Sequence, residues 1–156
     1  MAFLSLFAAA ANVPAFPSTA RTATCDAIQG IRPGSDFDEV KTVLAPFGPT
    51  SRSPEREEER EEKRRGVWSL ARGDYETIVV ESDEDGRVSG VTGFVRKGRE
   101  IPFTRLGSRA AAARWMDSAA IWNVPMSRGG YRLIAKGPEG RARVVTLLWL
   151  AAPAVD

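Results

Sequence analysis

The sequence predicts an α+β fold in which two αβββ units follow one another, with the helices packed on one face of an antiparallel sheet. Two observations support this prediction: an internal repeat, and in each half a helix-forming segment ahead of three strand-forming segments. Five residue pairs share one constant spacing along the chain: Trp68 with Trp122, Gly86 with Gly140, Arg87 with Arg141, Val91 with Val145, and Thr92 with Thr146. Tyr75 and Tyr131 lie two positions farther apart, a difference that we assign to the hairpin loops. A spacing held over so many positions indicates a duplicated unit.

The first helix is expected to begin at Ser35, a good N-cap, and to end at Pro46. Acidic residues follow in its first turn, where they favour the positive end of the helix dipole. Apolar residues then recur at the spacing of one helical face: Phe37, Val40 and Leu44.

Three strands should come next, at 67–72, 75–81 and 87–95. Gly73-Asp74 and residues 83–86 supply the turns between them. After a polar connector over 97–107, a second helix is expected at 108–120. Its apolar stripe consists of Ala111, Ala112, Trp115, Met116 and Ala119. Strands at 121–126, 131–136 and 142–150 complete the second unit.

The expected organisation is therefore a signal or disordered N-terminus over 1–24, a first unit over 25–96 and a second unit over 97–156. The first unit contains a charged insert at 51–65 that has no apolar face. Such a segment is typical of a solvated helix extension or a mobile loop. Deleting residues 55–65 is expected to change the melting temperature by only a few degrees.

The N-terminus is apolar up to Phe16 and then rich in small residues, which is typical of a secretory signal. No Lys or Arg precedes the apolar run, so an apolar disordered terminus is the alternative. Cys25 allows a further alternative, since acylation of this cysteine would make the chain membrane-associated; an unmodified thiol is the simpler interpretation. The expected location is outside the cytoplasm, in the periplasm or cell envelope.

The segment 31–48, IRPGSDFDEVKTVLAPFG, resembles the opening of the SmpA/OmlA (BamE-like) envelope proteins. Trp68, Val79-Val80 and the run 85–88 fit the strand and hairpin positions that follow in that family. Two such units in tandem resemble the fold of the β-lactamase-inhibitor protein. The resemblance implies a non-catalytic protein-interaction module of the bacterial cell envelope, acting as a scaffold or assembly factor.

The composition argues against several other classes of function. The chain has no histidine and a single cysteine, which removes the commonest neutral-pH acid/base and any internal disulfide. The carboxylates at 83–85 are typical of a turn, as are the glycines at 129–130. Lys and Arg (22) nearly balance Asp and Glu (20), which disfavours nucleic-acid binding. We therefore expect no enzyme activity, no catalytic residue, no cofactor and no metal.

A protein partner is expected, either an envelope complex or, as the alternative function, a hydrolase that the chain inhibits. Strand alternation places Arg132, Ile134 and Lys136 on one face, opposite Tyr131, Leu133 and Ala135, and Arg143 extends the basic side. The matched aromatic residues are expected to fill the core of each unit or to lie on the exposed face. The predicted partner-binding residues are Arg132, Arg143, Tyr75, Tyr131, Trp68 and Trp122. A small-ligand or enzymatic role that the residues do not specify is a third interpretation.

Overall fold

Antiparallel strands dominate the fold. The computed structural model describes residues 25–48, 64–126 and 129–150. Within these residues the strands are β1 (Arg65–Ser69), β2 (Tyr75–Ser82), β3 (Val88–Val95), β4 (Ile101–Pro102), β5 (Arg114–Met116), β6 (Ala119–Met126), β7 (Gly129–Lys136), β8 (Arg141–Ala142) and β9 (Val144–Leu150). They form a seven-stranded sheet in the order β1-β2-β3-β9-β7-β6-β5, and a two-stranded sheet of β4 and β8. The expected signal and all of the charged insert before Arg64 lie outside the described residues.

The helices of the described residues are short. α1 (Val40–Leu44) has five residues and is flanked by 3-10 turns, and α2 (Phe103–Leu106) has four residues. The expected α+β fold of tandem αβββ units, with helices packed on one face of the sheet as in the β-lactamase-inhibitor protein, is therefore wrong. The described chain is mainly an antiparallel β structure.

The second predicted helix, at 108–120, does not form; the segment holds a 3-10 turn and strand β5 instead. Trp115 gives the physical reason, because its ring packs edge-on against Phe103 and Trp122, with centroids 5.8 Å and 5.9 Å away. In addition, Trp122 Nε1 donates a hydrogen bond of 2.8 Å to the carbonyl of Ser108. These contacts hold the segment extended along β6 and override the helical preference of its alanines.

The first predicted helix is present but starts differently. Asp36 is the N-cap, since its carboxylate accepts a hydrogen bond of 2.9 Å from the backbone N of Asp38. Ser35 was expected there, but its hydroxyl donates to the carbonyl of Arg32 at 2.7 Å. Val40 and Leu44 are buried, as the apolar spacing predicted.

Four of the six predicted strands are confirmed in their main extent, whereas the first, 67–72, overlaps β1 only over 67–69. The segments 75–81 and 87–95 correspond to β2 and β3, and 121–126 and 131–136 correspond to β6 and β7. The last predicted strand, 142–150, is divided into β8 and β9, because the chain bends at Arg143.

The centre of the large sheet has an approximate two-fold arrangement. β3 and β9 pair so that Thr92 lies opposite Thr146, with their hydroxyl oxygens 3.1 Å apart. These two residues are 54 positions apart in the chain, which is the spacing of the sequence repeat. β2 and β7 follow on either side, then β1 and β6. Trp68 in β1 and Trp122 in β6 thus occupy corresponding places in the sheet.

The larger spacing between the two tyrosines has a local cause in β2. Tyr75 pairs with Val95 and Tyr131 pairs with Trp149, at equivalent ends of the two halves. The register of β2 is irregular beside Tyr75 and again beside Glu81. A β-bulge adds one residue to one of the two paired strands. Beside Tyr75 the extra residue lies in β2, whereas beside Glu81 it lies in β3, between Val88 and Gly90. A bulge inside β2 therefore accounts for one of the two residues, and the rest of the compensation lies where β2 turns into β3.

One face of the seven-stranded sheet, here called the covered face, carries the core. Its buried residues include Trp68, Ile78, Val80, Val91, Val145, Leu147, Leu133, Ala135, Ala120 and Trp122. Apolar side chains from the segment before β1 and from the segment between β3 and β5 join the same cluster: Ile28, Ile31, Val40, Leu44, Phe103 and Leu106. The short helices thus add a few buried side chains to a core that is formed mainly by the sheet.

Arg96 fixes the loop between β1 and β2. Its Nη2 donates hydrogen bonds to the carbonyls of Leu70 at 2.7 Å and Tyr75 at 3.3 Å. The side chain of Arg99, nearby, forms an exposed ion pair with Asp74, at 3.5 Å. The two arginines therefore differ in structural importance although both follow β3.

Candidate functional site

The face of the sheet opposite the core, here called the open face, has an apolar central row. Direct register partners run across six strands in this row: Val67, Val79, Thr92, Thr146, Ile134 and Ile121. All six are half-buried, and all are β-branched. β-branched side chains suit a pleated surface, so this row is locally favourable as well as apolar.

Two further rows flank the central row on the open face. The first flanking row consists of Ser69, Thr77, Phe94, Val144, Lys136, Ala119 and Met116. The second flanking row consists of Arg65, Glu81, Gly90, Leu148, Arg132 and Asn123. Phe94 and Met116 are 39% and 41% exposed, which is high for large apolar side chains.

The charges of the open face lie away from its centre. Arg65 Nε and Glu81 Oε1 are 3.6 Å apart across β1 and β2. Arg132 Nε donates a hydrogen bond of 2.9 Å to Asn123 Oδ1 across β6 and β7. Lys136 is exposed in the first flanking row. An apolar centre with a polar rim is the arrangement found in protein–protein interfaces.

The alternation predicted for β7 is correct. Tyr131, Leu133 and Ala135 are buried, whereas Arg132 and Lys136 are exposed. Arg132 therefore belongs to the open face, as a candidate partner-binding residue.

The four aromatic candidates lie in the core. Trp68 and Tyr75 are each 7% exposed, Trp122 is 1% exposed and Tyr131 is 6% exposed. Packing within the covered face accounts for all four positions, which was one of the two interpretations of their matched spacing. The accessible surface of the open face is made by other residues.

Arg143 is exposed but is not close to Arg132. It precedes β9 at the bend after β8, and its backbone N donates to the carbonyl of Lys136 at 2.8 Å. Arg132 pairs with Leu148, five positions along β9, which corresponds to about 17 Å. Arg143 instead lines a shallow depression with Glu76 and Glu100. The structure thus separates the two arginines that the sequence grouped together.

Comparison with known proteins adds no assignment. The chain matches no family model, no curated protein and no solved structure. Function is therefore inferred from the surface itself.

Sequence reasoning missed Phe94 and Met116 as surface residues. Met116 was assigned to the helix that does not form. For Phe94 a signal was present, because Thr92 and Phe94 alternate with the small or buried residues Gly93 and Val95. Phe94 is thereby placed on the face away from the core.

A cavity of about 300 Å³ lies at the end of the sheet beside β1 and is lined by Phe37, Asp38, Lys41, Arg64, Arg65, Gly66 and Trp68. The guanidinium of Arg64 lies 5.1 Å from the centre of the Phe37 ring, and its Nη1 is 2.6 Å from Asp38 Oδ1. Arg64 is thus engaged by protein groups on two sides.

Three ionisable groups of the described residues, those of Cys25, Tyr75 and Tyr131, are held neutral by burial. Burial raises the pKa of the Cys25 thiol and of the Tyr75 phenol above their usual range. Burial likewise raises the pKa of Tyr131 to about 12, with a smaller contribution from Asp26. A thiol and phenols with raised pKa values are poor nucleophiles and bases at neutral pH.

Glu100 has a lowered pKa, chiefly because backbone amides, its own and that of Gly98, hydrogen-bond its carboxylate; Arg143 and Arg141 contribute less. Among the described residues, no group of three His, Cys, Asp or Glu side chains is placed to hold a metal ion. None of the described helices has the length and apolar character required to traverse a bilayer.

Proposed function

We propose that the chain is a non-catalytic protein-interaction module that acts after export, as a scaffold or assembly factor of the cell envelope. The open face is its binding surface. The observation that supports the proposal is the combination of an apolar central row with two exposed large apolar residues, Phe94 and Met116, in the adjacent row.

An apolar open face carries a cost for a protein in water, because unburied apolar surface forgoes about 25 cal/mol per Å² of transfer free energy. Antiparallel sheets usually place polar residues on the solvated face. Here the central row has Val67, Val79, Ile121 and Ile134 instead. Extended apolar patches rimmed by polar residues are typical of protein-binding surfaces.

The location in the envelope is supported by the apolar N-terminal segment and by the resemblance of residues 31–48 to SmpA/OmlA proteins. Inhibition of a secreted hydrolase would use the same face, so the two functions differ in the identity of the bound protein. The following experiment separates them.

A photo-reactive amino acid introduced at Phe94 or Met116 of the full chain, expressed in cells, should form a covalent adduct with a bound protein on irradiation. Met126 provides a matched control, because it is also an exposed methionine (54%) but lies on the Trp122 side of β6, at the end of the hairpin. Adducts at Phe94 and Met116 but not at Met126 are expected. Mass spectrometry then identifies the bound protein as an envelope component or a hydrolase. Equal labelling at Met126, or no adduct at either open-face position, would contradict the proposal.

A further inference from the structure

We infer that the protein bound on the open face is a second copy of this chain, packed face to face as a two-fold symmetric dimer. This inference rests on the proposed function, because it names the partner of the same surface. Three properties of the open face lead to it: the order of the strands, the position of the charges within the rows, and the area.

The strand order makes the open face self-complementary. A two-fold axis parallel to the strands and midway between β3 and β9 lays β9 of the second copy over β3, β7 over β2 and β6 over β1. Because this rotation keeps the position along the strands, each row meets the same row of the other copy. In the central row the facing pairs are Val67 with Ile121, Val79 with Ile134, and Thr92 with Thr146. Every facing pair in the centre of this contact consists of β-branched residues.

The same rotation brings opposite charges together in the second flanking row. Glu81 lies on β2 and Arg132 lies on β7, at the same level and at equal numbers of strands from the axis. Arg132 of each copy therefore faces Glu81 of the other, which gives two equivalent ion pairs. In the same row Arg65 faces Asn123, so no cation in the second flanking row is set against another cation.

The other in-plane orientation is disfavoured by charge. A two-fold axis running across the strands, along the central row, would exchange the two flanking rows. Arg132 would then lie over Lys136 of the second copy, and Lys136 over Arg132. Like charges placed opposite each other at an interface oppose binding. The positions of Arg132, Lys136 and Glu81 thus favour one orientation of the dimer.

The area is sufficient for a specific dimer. β2, β3, β6 and β7 have eight residues each. The six strands from β1 to β6 that face each other in this dimer span five inter-strand spacings of about 4.8 Å, and with strands about 26 Å long they give about 600 Å² per copy. Two copies bury about 1,200 Å², at the lower end of specific interfaces. Sheets that pack in this way lie about 10 Å apart with interdigitated side chains, which suits the β-branched central row.

The first test is the oligomeric state of the full chain, measured by sedimentation over a range of concentrations. The unmodified chain should show a monomer–dimer equilibrium. Ile134→Lys, in the central row, should raise the dissociation constant by at least about tenfold, since it buries a charge in an apolar contact. Met126→Lys is the matched control, because it adds the same charge outside the open face and should leave the dissociation constant unchanged. Circular dichroism verifies that both variants keep the fold.

The second test uses charge reversal and does not depend on the fate of Ile134→Lys. Arg132→Glu sets acids against acids in its own dimer, and Glu81→Arg sets bases against bases, so each variant alone should dimerise at least about tenfold more weakly. An equimolar mixture should form a heterodimer with an affinity close to that of the unmodified chain. In that mixture both facing pairs are again of opposite charge. A purely structural role of either residue would not produce this recovery.

The outcomes distinguish the inference from the proposed function. A chain that is monomeric at all concentrations, or a mixture of charge variants that stays monomeric, refutes the dimer. If Phe94 then forms an adduct with a different protein, the proposed function stands and only the inference fails. An adduct within one chain would place another segment of the chain on the open face and would also refute the dimer. Absence of both the dimer and any adduct refutes the inference and the proposed function together.

Discussion

Replacing Trp122 by Phe should destabilise the protein and loosen the segment before β5. The indole Nε1 donates a hydrogen bond of 2.8 Å to the carbonyl of Ser108, and the ring packs edge-on against Trp115. Loss of the hydrogen bond leaves a partly buried carbonyl, which costs about 1 kcal/mol. Phe is also smaller than the Trp122 side chain, which is only 1% exposed. The apolar burial that is lost and the cavity that is left add about 1 to 2 kcal/mol to the cost. The free energy of unfolding should therefore fall by about 2 to 3 kcal/mol.

Urea denaturation measures this change, and Trp68→Phe is the control. Trp68 holds the corresponding place in β1, is 7% exposed and contacts Phe37 with ring centroids 6.1 Å apart. The control therefore loses packing alone, and its cost should be about 1 kcal/mol. Hydrogen exchange adds a local measurement, because the amide of Ala113 bonds to the carbonyl of Ile121 at 2.8 Å and should exchange faster only in Trp122→Phe. Equal costs for the two variants, with unchanged exchange at Ala113, would refute the role assigned to Trp122.

Three further outcomes are expected. Gly93→Ala should lower the unfolding free energy by about 1 to 3 kcal/mol, since a Cβ there would lie 2.5 Å from the Tyr75 ring; a neutral result in chemical denaturation would show that the ring can move aside. Arg96→Ala should lower the melting temperature by several degrees because buried carbonyls lose a charged donor, whereas Arg99→Ala should change it little; similar effects of the two would contradict this difference. Stability should fall as the pH rises from about 10 to about 12, because the pKa of Tyr131 is raised on folding from about 10 to about 12 and the neutral phenol is favoured below both values. Tyr131→Phe should reduce that alkaline loss in pH-dependent denaturation, and an unchanged loss would exclude Tyr131 as its source.

The strands were predictable because their signals are local. Alternating apolar residues and turn residues such as Gly73-Asp74 appear within a few positions of each other, and they bounded β2, β3, β6 and β7 to within about two residues. The register irregularities between β2 and β3 were not predictable, because they are defined only by the pairing of the two strands.

The second helix was predicted wrongly because the deciding contacts are not local. An alanine-rich segment with apolar residues at helical spacing has a high intrinsic preference for helix. The contacts of Trp115 with Phe103 and Trp122 join three separate segments, and the spacing of apolar residues along the sequence does not reveal these contacts. With that helix wrong, the expected layer of helices was wrong as well.

The candidate site was predictable only in part. Alternation along β7 placed Arg132 on the exposed side correctly. Arg143 was grouped with Arg132 because the apolar pattern of the sequence continues through the bend between β8 and β9 and does not reveal it. The three rows of the open face follow from the register across seven strands, which one sequence does not provide.

The position of β9 has a consequence for how the protein acquires its structure. β9 lies between β3 and β7 at the centre of the sheet, yet it follows both in the chain. Until residues 144–150 are in place, β3 and β7 each present an unpaired edge, and the two halves of the sheet are not joined. Unpaired edges are sites of intermolecular aggregation. Because the central strand pairs with two segments far away in the sequence, its insertion should be a slow step of folding that leaves both edges exposed until it is complete.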